Sequence, residues 1–143
     1  MKRCLSKSRI PGQFSLLIVF IFVFSCMGCN TLAPKPGETF ACGQVNSSIS
    51  PEAELVDFSC VVKKWDGADT LHFKVALKNI DQIDHRYKVN IFLDNGKAVG
   101  GLLPRKVKKG LVKPGKIVSF TYPVKGVAGM PGPVDLLVKT MAN

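Results

Sequence analysis

The sequence predicts an all-β protein, with one antiparallel β-sandwich of about six or seven strands after an N-terminal signal segment. Three observations predict it. Apolar and polar residues alternate along most of the chain after residue 40, turn residues separate the alternating runs, and no segment there has a convincing helical period. Because a single sheet would leave one apolar face uncovered, two sheets packed face to face are expected, in an immunoglobulin-like arrangement.

Alternation with a period of two defines six predicted strands: 56–62, 71–79, 87–94, 97–104, 117–123 and 134–140. In the clearest run, LHFKVALKN, Leu71 and Phe73 begin one face while His72 and Lys74 begin the other. The residues predicted to face the core are Val56, Phe58, Cys60, Val62, Leu71, Phe73, Val75, Leu77, Tyr87, Val89, Ile91, Leu93, Val118, Phe120 and Tyr122.

Turn residues stand between these strands. The segment WDGAD separates the first two strands, and Asn95-Gly96 follows the third. Asn-Gly between apolar runs predicts a β-hairpin with a type I′ turn, because both residues tolerate the positive φ that this turn requires. Gly100 and Gly101 predict a bulge or a bend in the returning strand. A further turn is predicted at VKPGK, before the strand at 117–123.

The first thirty residues have the organisation of an export signal. A head with four cations and no acid precedes a short apolar core at 16–24, which is too short to cross a bilayer as a helix. The core ends in CMGC, where Gly28 directly precedes Cys29. This ending resembles the lipobox of bacterial lipoproteins, in which the cysteine is acylated, with palmitate among the acyl groups, and becomes the first mature residue. The resemblance implies a signal peptide over 1–28 and lipidation of Cys29.

Other interpretations of this ending stay open. Cys26 is a second candidate for the processing site. An ordinary secretion signal or an uncleaved anchor is the alternative to a lipobox. A Cys-x-x-Cys pair is also found in redox and zinc sites, although no second pair or histidine cluster accompanies it.

After processing at Cys29, Cys42 and Cys60 are the remaining cysteines. An even pair in an exported chain predicts a disulfide, with two free thiols as the alternative. Residues 29–41 are polar and contain Pro34, Pro36 and Gly37, which predicts a flexible tether. The sandwich domain is then expected over residues 42–143.

Part of the predicted sandwich also resembles the FxLYD-type immunoglobulin-like domains of secreted bacterial proteins. The matching features are a strand that ends in Asn, an aromatic-Leu-Asp ending of the next strand, and a later Leu-x-x-Pro-Gly before an aromatic strand. The residues that carry the resemblance are Asn79, Phe92, Leu93, Asp94, Gly96, Leu111, Pro114, Gly115 and Phe120. The resemblance implies a fold and a cell-envelope location, and it implies an interaction or spacer module without an activity of its own.

The chain offers little for catalysis. His72 lies on the outward face of its strand and is expected to be a solvated surface residue. Asp81, Asp84 and His85 offer oxygen and imidazole ligands within five residues, which makes the 81–85 loop a candidate metal site, although Asp residues are also ordinary in loops. No G-x-S-x-G, phosphate-binding glycine loop or Cys-His couple is present. We therefore expect no enzyme, no resident metal and no cofactor.

A basic segment is the sharpest polar feature. Six cations lie within twelve residues without an acid: Arg105, Lys106, Lys108, Lys109, Lys113 and Lys116. The whole chain carries 20 Lys and Arg against 10 Asp and Glu, and four of those cations belong to the signal head. Such a segment attracts anionic surfaces, although lysines also serve simply to solvate a connection and to discourage edge pairing. Nucleic acid is not expected, because no aromatic side chains are interleaved for stacking.

These observations together predict a non-catalytic lipoprotein of the cell envelope. We expect it to be lipid-anchored on the periplasmic or extracellular face, in the outer membrane if two membranes are present. Its sandwich would act as an interaction or spacer module toward an envelope protein or an anionic envelope polymer. The alternative is a small periplasmic protein that binds a metal or another ligand through the 81–85 loop.

Overall fold

The computed structural model describes residues 35–105 and 110–141. Within these ranges the chain forms no helix and eight β-strands. The strands are β1 (Thr39–Phe40), β2 (Val45–Ile49), β3 (Ala53–Trp65), β4 (Ala68–Asn79), β5 (Arg86–Leu93), β6 (Ala98–Leu103), β7 (Ile117–Val124) and β8 (Val134–Met141). All six predicted strands are present as β3 to β8. The signal segment and Lys106, Lys108 and Lys109 lie outside the described residues.

The strands form two four-stranded sheets. The first sheet has the order β1-β3-β4-β7 and the second has the order β2-β8-β5-β6. Every pairing is antiparallel except that of β2 with β8, which is parallel. Both sheets contribute to one core, so the predicted β-sandwich is confirmed. It has eight strands, where about six or seven were predicted.

The connections explain the immunoglobulin-like arrangement. Hairpins join β3 to β4 in the first sheet and β5 to β6 in the second, and the chain changes sheet after β1, β2, β4, β6 and β7. In an immunoglobulin sandwich the last strand of the domain completes the second sheet. Here the N-terminal strand β2 occupies that edge position beside β8, and it runs parallel to β8. The sequence did not predict β2 because its letters VNSSI are mostly polar and lie at a sheet edge.

The buried faces agree with the alternation in three strands. In β4 the side chains that were predicted to face the core, Leu71, Phe73, Val75 and Leu77, are fully buried. In β5 the side chains that were predicted to face the core are buried as well. Burying one such side chain stabilises a fold by about 1.5–3 kcal/mol relative to leaving it exposed. In β7, Tyr122 is buried while Val118 and Phe120 are partly buried.

The inward position predicted for Val56 is wrong. The pairing of β3 with β4 shifts register between Leu55 and Asp57, so Val56 is an extra residue without a partner. A β-bulge of this kind turns the side chains that follow it to the opposite face. Val56 is consequently exposed, while Cys60 and Val62 beyond the bulge point into the core.

The type I′ turn lies at the other hairpin from the one that the sequence predicted. Asp66 and Gly67 both have positive φ, at 54° and 82°, so the β3–β4 hairpin has the dihedral signs of a type I′ turn. At the β5–β6 hairpin only Gly96 has positive φ, and Leu93 pairs with Lys97 across a three-residue loop. The type I′ turn predicted at Asn95-Gly96 is therefore wrong. The loop corresponds to a type I turn followed by a left-handed glycine.

The predicted pairing of Cys42 with Cys60 is present. Their sulfur atoms lie 2.15 Å apart, and both residues are buried. Thr39 and Phe40, inside the segment predicted as tether, form β1 against Val61 and Cys60. The disulfide thus ties β3 to the chain as it passes from the first sheet to β2 in the second.

Candidate functional site

One end of the sandwich is organised around Asn79, the last residue of β4. Its side chain is fully buried. The Nδ2 amide donates hydrogen bonds to the carbonyl oxygens of Ile83 and Val112, both at 2.7 Å, and the Oδ1 atom accepts one from the Asp81 amide at 3.0 Å. One amide side chain therefore joins the β4–β5 loop to the segment that precedes β7.

A tight turn extends from this junction. The Lys116 amide donates to the Lys113 carbonyl, and between them Pro114 and Gly115, with φ of 70°, have the residue preferences of a type II turn. The Gly115 amide donates to the Asn79 carbonyl at 2.8 Å, which holds the turn against the end of β4. Lys113 and Lys116 are both exposed on it.

Four exposed apolar side chains belong to the segments that Asn79 joins. Ile80 and Ile83 belong to the β4–β5 loop, while Leu111 and Ile117 flank the basic turn, and all four are exposed. Each lies within one residue of a residue that is hydrogen bonded to Asn79, namely Asp81, Ile83, Val112 or Lys116. We call this surface the Asn79 end, and it comprises Ile80, Ile83, Leu111, Lys113, Lys116 and Ile117.

The structure divides the predicted basic segment. Arg105 does not extend toward the basic turn: its guanidinium carbon lies 4.7 Å from the centre of the Phe120 ring, three residues along β7 from Ile117. Lys113 and Lys116 lie at the Asn79 end. Among the described residues, no salt bridge involves any of these three cations.

In the 81–85 loop, two of the three candidate ligands bond to each other. His85 is buried, and its Nε2 atom donates to the Asp81 Oδ2 atom at 2.6 Å. This hydrogen bond, together with one from the Gln82 amide, holds the pKa of Asp81 below its ordinary value. The described residues contain no group of three or more His, Cys, Asp or Glu side chains placed to hold a metal ion. The hydrogen bond between Asp81 and His85 closes the loop next to the backbone bridge between His85 and Val112.

The prediction that His72 is a solvated surface residue is wrong. His72 does lie on the outward face of β4, but only 1% of it is exposed. The ring of Trp65 packs edge-on against it with centroids 5.9 Å apart. Its Nδ1 atom donates to the Thr70 carbonyl at 2.8 Å, which leaves Nε2 buried without a partner among the described residues. Burial holds the pKa of His72 below its ordinary value, although the hydrogen bond to Thr70 acts in the opposite direction.

The segment from the predicted tether joins the sandwich far from the Asn79 end. The Gly37 amide donates to the Val62 carbonyl, whereas Asn79 pairs with Ala53 at the other end of β3. Nine positions of a strand separate Val62 from Ala53, which corresponds to about 30 Å at the usual rise per residue. The Asn79 end and the first described residues therefore lie toward opposite ends of the first sheet.

Sequence reasoning identified Lys113 and Lys116 but not the four apolar residues beside them. The signal available was two isoleucines in the polar loop NIDQID, which a strand-forming alternation does not explain. In the described part of the chain, no helix has the length and apolar character to span a bilayer. Comparison with family models, curated proteins and solved structures found no match to this chain.

Proposed function

We propose that this chain is a non-catalytic lipoprotein of the cell envelope that bridges its own membrane and a second, anionic surface. Acylated Cys29 anchors it, residues 29–36 provide reach, and the sandwich acts as the spacer. The observation that carries the proposal is the placement of exposed Lys113 and Lys116 among exposed apolar side chains, at the end of β3 away from the segment that leads to the anchor.

The composition of the Asn79 end suits an anionic lipid or polymer surface. A lysine close to an anionic membrane contributes about 1 kcal/mol of attraction. The side chains of Ile83 and Ile117 are each 58% exposed, and they would gain from leaving water at the interface. The cations Lys106, Lys108 and Lys109 belong to the same connection in sequence and add to its charge.

The sandwich contributes rigidity and length to this role. Its buried core and the disulfide hold the Asn79 end in one geometry, and the domain adds about 30 Å to the reach of the tether. A contact surface beside the anchor would favour the anchoring membrane instead. The separation of the Asn79 end from Gly37 along β3 supports contact with a different surface, such as an acidic wall polymer, a second leaflet or an envelope protein with an acidic face.

Vesicle clustering tests this function. The membrane-extracted protein is inserted through its acyl group into neutral phosphatidylcholine vesicles, and vesicles that contain phosphatidylglycerol are added. We expect light scattering to rise with the wild type and the rise to weaken as salt increases from about 0.05 to 0.5 M, because the Debye length shortens several-fold. Lys113→Glu with Lys116→Glu is expected to abolish most of the clustering.

The matched control is Lys88→Glu with Lys139→Glu. These exposed lysines pair across β5 and β8 on the outer face of the second sheet, and their reversal changes the net charge by the same amount. If this control clusters vesicles as strongly as the wild type does, the contact with the anionic vesicles is made by the Asn79 end. Equal loss in both variants would show that net charge alone acts, and a wild type without any clustering would contradict the bridging role.

A further inference from the structure

The strand β2 forms an open edge of the second sheet. It has β8 on one side, and in the described part of the chain no strand pairs with its other side. Its letters VNSSI contain no charge and no proline, and its pairing with β8 keeps one register from Val45 to Ile49. Charges, prolines and bulges are features that protect an edge strand from pairing with another chain. β2 has none of them.

The other edge strands carry such a feature or are very short. β1 has two residues, and β3, which forms the edge of the first sheet beyond β1, has the bulge at Val56. β7 contains Pro123, and β6 is followed directly by Pro104. Protection of these edges but not of β2 indicates that β2 is the edge open to a further strand.

The hydrogen bonds between β2 and β8 show which backbone groups are already used. The Val134 amide donates to the Gln44 carbonyl, and the Ser50 amide donates to the Val138 carbonyl, both at 3.0 Å. In a parallel ladder, alternate residues of a strand bond to the neighbouring strand. These two bonds therefore identify the even-numbered residues from Gln44 to Ser50 as those that face β8.

The odd-numbered residues of β2 face away from β8. They are Val45, Ser47 and Ile49, and their N–H and C=O groups lie along the free edge. Among the described residues, no backbone hydrogen bond outside the ladder involves these groups. Ser47 is exposed, and Val45 and Ile49 are half-buried. Because backbone polar groups require partners, water or a further strand must supply them here.

We propose that β2 pairs with β2 of a second copy of this chain. The pairing is antiparallel and is centred on Ser47. Val45 of each copy then lies opposite Ile49 of the other, and hydrogen-bonded pairs of this kind exchange both N–H···O bonds. Every free backbone group of the edge gains a partner, and the second sheets of the two copies become one continuous sheet.

The side chains of β2 are complementary to themselves in this register. Val45 and Ile49 bring half-buried apolar side chains together across the dimer axis. Asn46 lies opposite Ser48 of the second copy. The Asn46 amide nitrogen donates to Asp135 at 2.9 Å, which leaves its oxygen to accept from that serine. No like charges meet, because β2 carries none, and this match favours a second copy over an unrelated strand.

Antiparallel pairing places an Asn79 end at both ends of the dimer. β2 runs toward the Asn79 end, since Glu52, which follows it, accepts a hydrogen bond from the Ile80 amide. The second copy runs in the opposite direction. Its Asn79 end therefore lies on the side where Gly37 of the first copy joins the sandwich.

Disulfide trapping tests the pairing, with the full chain purified from membranes in detergent. In an antiparallel hydrogen-bonded pair the Cα atoms lie about 5.5 Å apart, which suits a disulfide. Ser47→Cys is expected to give a covalent dimer on mild oxidation, several-fold above any dimer of the wild type. Ser119→Cys is the matched control, because Ser119 is exposed on another edge strand, β7, and it should give no more dimer than the wild type.

Mixed variants test the register. Asn46→Cys and Ser48→Cys are expected to cross-link to each other several-fold more than either does with itself, because residues 46 and 48 lie directly opposite only in the mixed pair. Equal dimer from Ser47→Cys and Ser119→Cys would overturn the pairing. A mixture that cross-links no better than its components would overturn the antiparallel arrangement centred on Ser47.

Sedimentation measures the association without a covalent bond. A strand of 5 residues is far smaller than a standard interface of about 20–30 residues a side, so a weak, concentration-dependent dimer is expected. Ser47→Lys places two like charges at the axis and is expected to raise the dissociation constant about 10-fold or more. Ser119→Lys adds the same charge on β7 and should leave it unchanged. Equal constants for the two variants, or a wild type that stays monomeric at the highest concentration reached, would contradict self-pairing.

The pairing of β2 and the proposed bridging role are separable. The pairing uses neither Cys29 nor the lysines of the Asn79 end. Cross-linking of Ser47→Cys together with failed vesicle clustering would leave the dimer standing. The reverse result would leave a bridge made by single copies.

Discussion

Asn79 is the residue on which the geometry of the proposed contact surface depends. Its amide makes three hydrogen bonds to backbone atoms of two separate segments, and its own backbone bonds the basic turn. In the expected resemblance to FxLYD-type domains, Asn79 was only a strand-ending residue. The structure adds a physical reason for an asparagine there, since a side chain with both a donor pair and an acceptor is needed at a buried position.

We expect Asn79→Ala to lower the free energy of unfolding by about 3 kcal/mol, because buried carbonyl groups lose their donors. Urea denaturation of the two proteins measures this. Asn90→Ala is the control, because Asn90 lies on the outer face of β5 and is only half-buried. A loss in Asn79→Ala no larger than in the control would show that its hydrogen bonds contribute little.

His72 makes stability depend on pH. Its folded pKa lies below the ordinary value of 6.5, with burial as the main cause and the charge of Lys63 acting in the same direction. The unfolded imidazole therefore takes up a proton before the folded one does, and stability is lost as pH falls below about 6.5 toward the folded pKa. We expect the free energy of unfolding to fall between pH 7.5 and 5.5 in the wild type and to fall less in His72→Gln. Parallel pH profiles for the two proteins would contradict this.

At the scale of elements, the strands were predictable because their signals are local. The alternation of apolar and polar residues in β4 and β5 predicts which face of each strand is buried. Glycine next to Asp or Asn predicts where the chain turns. The type of each turn was not predictable, because Asp66-Gly67 and Asn95-Gly96 carry similar letters. The register of the flanking strands decides how many residues remain to close each hairpin.

The disulfide stabilises the connection between β3 and the segment that leads into β2. It links β3 to the segment before β2, across 18 positions of sequence. Replacing both cysteines, as Cys42→Ala with Cys60→Ala, is expected to lower the free energy of unfolding by about 3 kcal/mol, since the unfolded chain regains the entropy of an open loop. Denaturation with reductant should bring the wild type to the stability of the variant and leave the variant unchanged. A wild type insensitive to reductant would indicate that the two thiols are not bonded.

At the scale of the whole molecule, the bridging proposal requires an anchor at Cys29. The expected mature protein begins at Cys29 and carries acyl mass. Intact mass of the membrane-extracted protein measures this, with Cys29→Ser abolishing the acyl mass and Cys26→Ser retaining it. A retained apolar segment, or cleavage elsewhere without lipid, would contradict the anchor and remove one of the two proposed contacts.

The sequence was sufficient for the all-β class, six strands, most of their buried faces and the cations of the basic segment. These features follow from neighbours in sequence, where a period of two and a few turn residues leave little choice. The remainder was settled only when distant segments came together. The parallel place of β2, the bulge at Val56, the burial of His72 under Trp65 and the apolar residues around Lys113 and Lys116 all depend on contacts between such segments. Local alternation carries no information about which strand becomes a neighbour, so those features required the tertiary structure.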